Sequence, residues 1–143
     1  MEIRNIEIDD IEALADLYFH FWEEESNVNE MKRKFNELKN NGNYILLCAD
    51  EKNKVVGSVM GIVCEDLYGE CKPYLLLENM IVDRTFRRKG IGIALFSELE
   101  KQARMKGCTQ IILVTEANRT DACMFYESVG FHPTANKGYK KRM

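Results

Sequence analysis

The sequence predicts a mixed α/β domain of the α+β kind, a mainly antiparallel central sheet flanked by helices, and three observations predict it. Residues 44–49 and 54–64 are strand-like runs joined by the polar stretch Asp50, Glu51, Lys52 and Asn53, the pattern of an antiparallel hairpin. Residues 74–115 pass from one apolar run through a glycine-started helix to a second apolar run, the pattern of a crossover. Amphipathic segments before and after these supply helices to cover the sheet, in the order β-α-α-β-β-β-α-β-α-β.

Taken in order, residues 2–8 alternate as a strand, and Asp9, Asp10 and Glu12 supply a cap and acidic first turn for a helix of about 14 residues. Ile11, Leu14, Ala15, Tyr18, Phe19 and Trp22 recur on one side of it as a stripe that faces the core in all but its C-terminal end. Glu23, Glu24 and Glu25 close that helix against the sense of its dipole. A second helix spans residues 29–40 and stops before Gly42. The hairpin follows, with Gly57 and Gly61 placed where a strand twists or meets another backbone. After a loop over 65–73, the third strand of this meander, the fourth of the chain, runs Tyr74 to Val82. The next helix starts at Gly90, carries Ile91, Leu95, Leu99 and Ala103 on one face, and ends at Gly107. Residues 109–115 read as a buried strand, 118–129 as a helix stopped by Gly130, and Phe131 onward as one or two short strands.

A chain of 143 residues corresponds to a single domain, 1–143, and nothing in it reads as a repeat or linker. Apolar residues make up 45% and charged residues 30%, with no apolar run near the ~20 residues a membrane helix needs. The expectation is a cytoplasmic protein without a targeting segment. A net charge of −3 opposes general nucleic-acid binding. The five cysteines are scattered and form no Cys-x-x-Cys pair, and His20 and His132 lie far apart, so no metal site is expected.

The chemistry concentrates at residues 80–93. Apolar Met80, Ile81 and Val82 lead into a turn with Arg84, Arg87, Arg88 and Lys89, and then into a helix whose first turn holds Gly90, Ile91, Gly92 and Ile93. Helix-start amides lack intrahelical partners, the dipole end is positive, and glycine admits close approach, so this is a phosphate cradle. A dinucleotide fingerprint would need a small residue in place of Leu95, and a Walker loop would need its lysine after the glycines. The spacing Arg87-x-x-Gly90-x-Gly92 instead resembles the acetyl-CoA motif of the GNAT superfamily of N-acetyltransferases. A second stretch, Asn118, Ala122, Phe125, Tyr126, Gly130 and Phe131, resembles that family's other signature. Four-residue steps put Asn118, Ala122 and Tyr126 along one side of the predicted helix.

The resemblance implies the GNAT acyl-CoA N-acyltransferase fold, acetyl-CoA as cosubstrate without a metal, and direct attack of an amine on the thioester in a ternary complex. It places pantetheine on backbone groups of Met80, Ile81 and Val82, pyrophosphate on the amides of Arg87 to Ile93, and pantetheine contacts on Asn118 and Ala122. It gives Tyr126 the role of acid toward the leaving thiolate. Glu78, inside the apolar run before the cradle, reads either as the base that deprotonates the amine or as a carboxylate paired with an arginine.

Specificity in the family lies in the first two helices and the loop between the third and fourth strands, both acidic here. Trp22, Glu23, Glu24 and Glu25 are the candidate acceptor residues, and Glu65, Asp66 and Glu70 of the loop add to the same acidic lining. They suit a small cationic amine of polyamine or aminoglycoside type, and the same acids also read as plain solvated surface. A protein or peptide amine, or a silent acyl-CoA-binding module, are the rival readings. The resemblance makes a homodimer an expectation.

Overall fold

A computed structural model of the chain describes residues 1–143 as two compact units, Met1–Ile112 and Leu113–Met143. The first unit is built on one sheet of five strands, β1 (Glu2–Asn5), β2 (Tyr44–Asp50), β3 (Val55–Cys64), β4 (Tyr74–Val82) and β5 (Ile111–Ile112), lying side by side in chain order. The first four are antiparallel neighbours and β5 runs parallel to β4. This is the mixed, mainly antiparallel sheet that the sequence predicts.

The first strand is shorter than the alternation of residues 2–8 implies, because Ile8–Asp10 wind into a 3-10 turn. Asp10 drives that turn: its carboxylate accepts from the Glu7 amide at 2.7 Å and takes two bonds from Arg4, at 2.7 and 2.9 Å. Helix α1 (Ile11–Trp22) follows and ends at Glu23, which adopts a left-handed φ of 58° while its amide donates to the Phe19 carbonyl. Helix α2 (Val28–Leu38) is capped by Asn27, whose side chain accepts from the Glu30 amide at 3.1 Å.

The two faces of the sheet are covered differently. On one, Leu14 and Leu17 of α1 pack on Cys48, Val55 and Ile81, with Ile6, Tyr18, Phe21 and Met31 around them. On the other lies α3 (Ile91–Met105), and two glycines of β3 decide how closely. A Cβ on Gly61 would stand 2.7 Å from Leu99 Cδ1, and one on Gly57 would stand 3.0 Å from the Ile81 carbonyl oxygen and 3.1 Å from Leu95 Cδ1. The helix therefore rests on two strand positions that carry no side chain, and Leu95 and Leu99 are fully buried there.

Strand β4 contains a bulge. Ser58 pairs with Ile81 and Met60 with Glu78, so Asn79 and Met80 together oppose Val59. Asn79 takes a φ of 50°, a conformation that asparagine tolerates far better than the β-branched and leucine residues around it. The extra residue reverses the alternation of the strand. Leu75 faces α3 beside Leu99 and Gly61, whereas Ile81, six residues on and therefore due on the same face, packs beneath α1.

The second unit is built around α4 (Thr120–Ser128), closed by bonds from the Val129 amide to the Phe125 carbonyl at 3.2 Å and from the Phe131 amide to the Tyr126 carbonyl at 3.0 Å. Gly130 supplies the positive φ of 104° that this closure requires. Two expectations are corrected here. The strand predicted over 109–115 reduces to Ile111–Ile112, although single bonds from the Thr109 amide to Pro73 and from the Leu75 amide to Gln110 extend the contact with β4 backwards. No strand forms from Phe131 onward, where residues 132–143 are all exposed and have no face to bury.

Candidate active site

The site begins at the N-terminus of α3. Arg87, Arg88, Lys89 and Gly90 alternate between negative and positive φ, with Arg88 at 60° and Gly90 at 80°. Such alternation turns successive amides inward to form an anion-binding concavity. The first amide of the helix to be used internally is that of Ala94, which donates to the Gly90 carbonyl at 3.0 Å. The amides of Ile91, Gly92 and Ile93 therefore project from the helix end, which has no side-chain cap and no acidic residue in its first turn. Gly90 is needed for its backbone: a Cβ there would meet nothing within 4 Å, but its left-handed φ disfavours any side chain.

Basic groups surround this end. Arg84, Arg87, Arg88 and Lys89 are all exposed. Lys89 Nζ lies 4.8 Å and Lys54 Nζ 5.3 Å from the centre of the Phe86 ring. Asp83 holds the turn: burial alone would raise its pKa, but hydrogen bonds from the Thr85 amide and hydroxyl, with the charge of Lys54, bring it below the usual carboxylate range.

Beside the cradle, one edge of β4 is open. β5 pairs with β4 only through Leu75 and Leu76, so no strand bonds the remaining length, including Met80, Ile81 and Val82, on that edge. An open edge offers donors and acceptors to an extended amide chain as a further strand would. One acceptor is already engaged, since Arg87 Nε donates to the Val82 carbonyl at 3.2 Å. The same guanidinium lies over Phe21 of α1, 5.7 Å from the ring centre.

Glu78 is half-buried, sits across the ladder from Met60 and enters no ion pair, so the structure does not give it the arginine partner weighed as its alternative role. Cross-strand partners leave a sheet on the same face. For this pair it is the face covered by α1 and α2, where a cavity of about 740 Å³ has Tyr18, Trp22, Phe35, Met60 and Asn79 in its wall. Of the predicted acceptor residues, Trp22, Glu24 and Glu25 line this cavity, and Glu23 does not.

The sequence reading missed Tyr18 and Met60 as cavity residues and passed over Asn79. A strand-averse asparagine inside an apolar run was the available signal for the bulge. The phenol of Tyr18, whose pKa is raised by burial, neighbours the buried Ser58 hydroxyl, which has no partner at full hydrogen-bonding distance.

In the second unit, Tyr126 is half-buried and its ring meets those of Phe125 and Phe131 edge-on, at 5.4 and 5.7 Å. Ala122 and Tyr126 share one side of α4. Asn118 does not: the helix starts at Thr120, and Asn118 is exposed in the turn before it, where its carbonyl accepts from the Thr120 amide at 3.0 Å. The histidines have local roles, His132 Nδ1 accepting from the Thr134 and Ala135 amides and His20 Nδ1 contacting the Asp16 carbonyl. No group of three or more metal-ligating side chains gathers anywhere in the structure, and no helix is long and apolar enough to cross a membrane.

Comparison with known proteins bears on the family and the fold. Residues 11–131 match the family described as "Acetyltransferase (GNAT) family". The chain is 25% identical over 138 residues to a glucosamine 6-phosphate N-acetyltransferase of Trypanosoma brucei brucei, covering 92% of this chain and 88% of that one. Among solved structures, a putative acetyltransferase from Agrobacterium tumefaciens str. C58 superposes with a TM-score of 0.91 at 22% identity, over 100% of both chains. An aminoglycoside acetyltransferase from an uncultured soil metagenomic sample superposes with a TM-score of 0.80 at 23% identity, over 99% of this chain and 93% of that one.

Proposed function

The chain belongs to the acetyltransferase (GNAT) family, and from that premise we propose that it transfers the acetyl group of acetyl-CoA to the primary amine of a small cationic acceptor. The observation that carries the reading is the uncapped start of α3 beside the open edge of β4. The helix end supplies free amides and positive charge for a pyrophosphate, and the strand edge supplies backbone groups for the pantetheine amides. On this reading Met80, Ile81 and Val82 with Arg87 to Ile93 hold the cosubstrate, and the family motif gives Asn118 and Ala122 their roles toward its pantetheine.

The reaction needs three proton movements. An alkylamine with a pKa near ~10.4 must lose a proton before its nitrogen attacks the thioester carbon, and Glu78, free of any cationic partner, takes that proton through water. Once the carbon–nitrogen bond has formed, the nitrogen sheds a second proton. As the carbon–sulfur bond breaks, the thiolate receives a proton from the Tyr126 hydroxyl, which that second proton restores. The acetylated amine and the free thiol of coenzyme A are the products, and no group of the protein is acetylated on the way.

The test is release of free thiol from acetyl-CoA by the purified protein across amines of different class, with cofactor binding measured in parallel. Amine-dependent release establishes the enzyme and ranks its acceptors, protein and peptide amines among them. Saturable acetyl-CoA binding without release on any amine overturns the catalytic reading in favour of an acyl-CoA-binding module.

A further inference from the structure

The cavity beneath α1 and α2 has a composition that selects among amines. Its interior is apolar, with Ile11, Leu14, Phe35, Leu46 and Met60 in the wall. Tyr18 presents its ring there, while its hydroxyl is turned toward Ser58 of the sheet. Polar groups lie at the mouth, where Glu24 and Glu25 follow the end of α1.

The charges at the mouth are one-sided. Glu24 and Glu25 enter no ion pair, whereas Glu30 and Glu37 of α2 are held by Arg33 and Lys34. Lys34 is the basic side chain in the wall, and its ammonium is 2.6 Å from a Glu37 carboxylate oxygen. A cation at the mouth therefore meets two uncompensated carboxylates, and an anion is repelled.

From these observations we infer that the cavity is the acceptor subsite and that it takes an amine with an apolar body, an alkyl or arylalkyl amine with a second cationic or polar end, in preference to a polyol or phosphorylated amino sugar. The inference rests on the acetyltransferase reading above and goes further by naming the acceptor. Hydroxyls of a sugar entering this wall lose water and find few partners, so each one weakens binding. Methylenes do the reverse, each tightening binding about fourfold when buried. The wall and the rim select together: apolar bulk inside, positive charge outside.

The test is a chain-length series of linear primary amines and α,ω-diamines, with phenethylamine, set against glucosamine, glucosamine 6-phosphate and an aminoglycoside. The expected result is a kcat/KM that climbs about fourfold per methylene until the cavity is filled, and that exceeds the value for glucosamine by at least about a hundredfold. Met60→Gln, nearly isosteric and at a half-exposed position, should cut kcat/KM for the apolar amines by about tenfold and leave coenzyme A affinity unchanged. The double substitution Glu24→Gln and Glu25→Gln should raise KM for diamines several-fold, with a smaller effect in high salt.

Efficient acetylation of the amino sugars without dependence on chain length overturns this inference and leaves the acetyltransferase standing. If no amine is acetylated, binding is read directly by calorimetry. Chain-length-dependent binding that Met60→Gln weakens upholds the cavity's ligand class while sinking the catalytic reading, and absence of binding by the longer amines overturns the inference.

Discussion

The guanidinium of Arg87 lies 5.7 Å from the centre of the Phe21 ring, joining the phosphate cradle to the end of α1. Phe21 in turn meets Trp22 edge-on at 4.9 Å, and Trp22 packs against Tyr18 at 5.2 Å. A phosphate is a stronger partner for a guanidinium than an aromatic face is, so on the proposed reading a pyrophosphate held at the start of α3 should draw Arg87 away from Phe21. Trp22 is the single tryptophan of the chain and lies two contacts from that event. Coenzyme A should therefore change Trp22 emission with a saturable dose dependence. In Phe21→Leu the affinity should stay within about threefold and the emission change should fall by more than half. An equal change in both proteins would break the proposed connection.

The kinetic roles divide by residue. Tyr126→Phe should lower kcat by about ten- to a thousandfold and leave acetyl-CoA affinity nearly intact, as loss of a proton donor does. Glu78→Gln should alter the shape of the pH–rate profile as well as its height. Turnover of Tyr126→Phe equal to that of the parent removes the tyrosine as acid, and an unaltered profile in Glu78→Gln assigns the base to water.

Much of the fold was legible because its signals are local. Two strand-like runs about a polar turn marked the hairpin of β2 and β3, and the glycine-started helix marked the crossover that brings β5 beside β4. Asn118 fell outside its helix because a four-residue spacing says nothing of where a helix starts, and the helix winds only from Thr120. The C-terminal strands failed for a tertiary reason. Alternating residues pair only where a neighbouring edge accepts them, and that is not written in the segment itself. The cradle could be read from residues 80–93 alone, since a helix end and its charges are contiguous. The cavity could not, because Tyr18, Phe35, Met60 and Asn79 come from four elements.

Two glycines separate packing from function. Gly61→Ala puts a methyl group 2.7 Å from Leu99 Cδ1 and should cost about 1–3 kcal/mol of stability, seen as a lower Tm with coenzyme A affinity unchanged. Gly90→Ala meets no neighbour but must hold a left-handed φ, at a cost of about 1–2 kcal/mol, and it should weaken coenzyme A binding as well. Equal effects of both on cofactor affinity would contradict the placement of the cradle.

Acid stability should depend on Arg4. Its guanidinium binds Asp10 and Asp50, at 2.7 and 2.8 Å, and the Arg4 hydrogen bonds hold the Asp10 pKa below its ordinary value. A carboxyl group depressed in the folded state stabilises the protein fully above its unfolded pKa of ~3.9 and loses that contribution as pH falls through the folded value. Arg4→Met should lower stability by about 1–2 kcal/mol at neutral pH and by less below pH ~3. Denaturant unfolding at both pH values measures the difference, and an equal loss at both would mean that Arg4 contributes by packing alone.

The single extra residue at Asn79 also bears on how such a protein acquires new substrates. By reversing the alternation of β4, it turns the odd-numbered positions from the α3 face, where Leu75 lies, to the α1 face, where Ile81 lies. Changes at Leu46 or Met60 reshape the cavity under α1 and α2 from a different face than the one on which Leu75, Leu95 and Leu99 hold α3. On the proposed reading, acceptor choice can drift under selection while the cradle for the shared donor stays fixed, one inserted residue serving as the partition between what is inherited and what is free to vary.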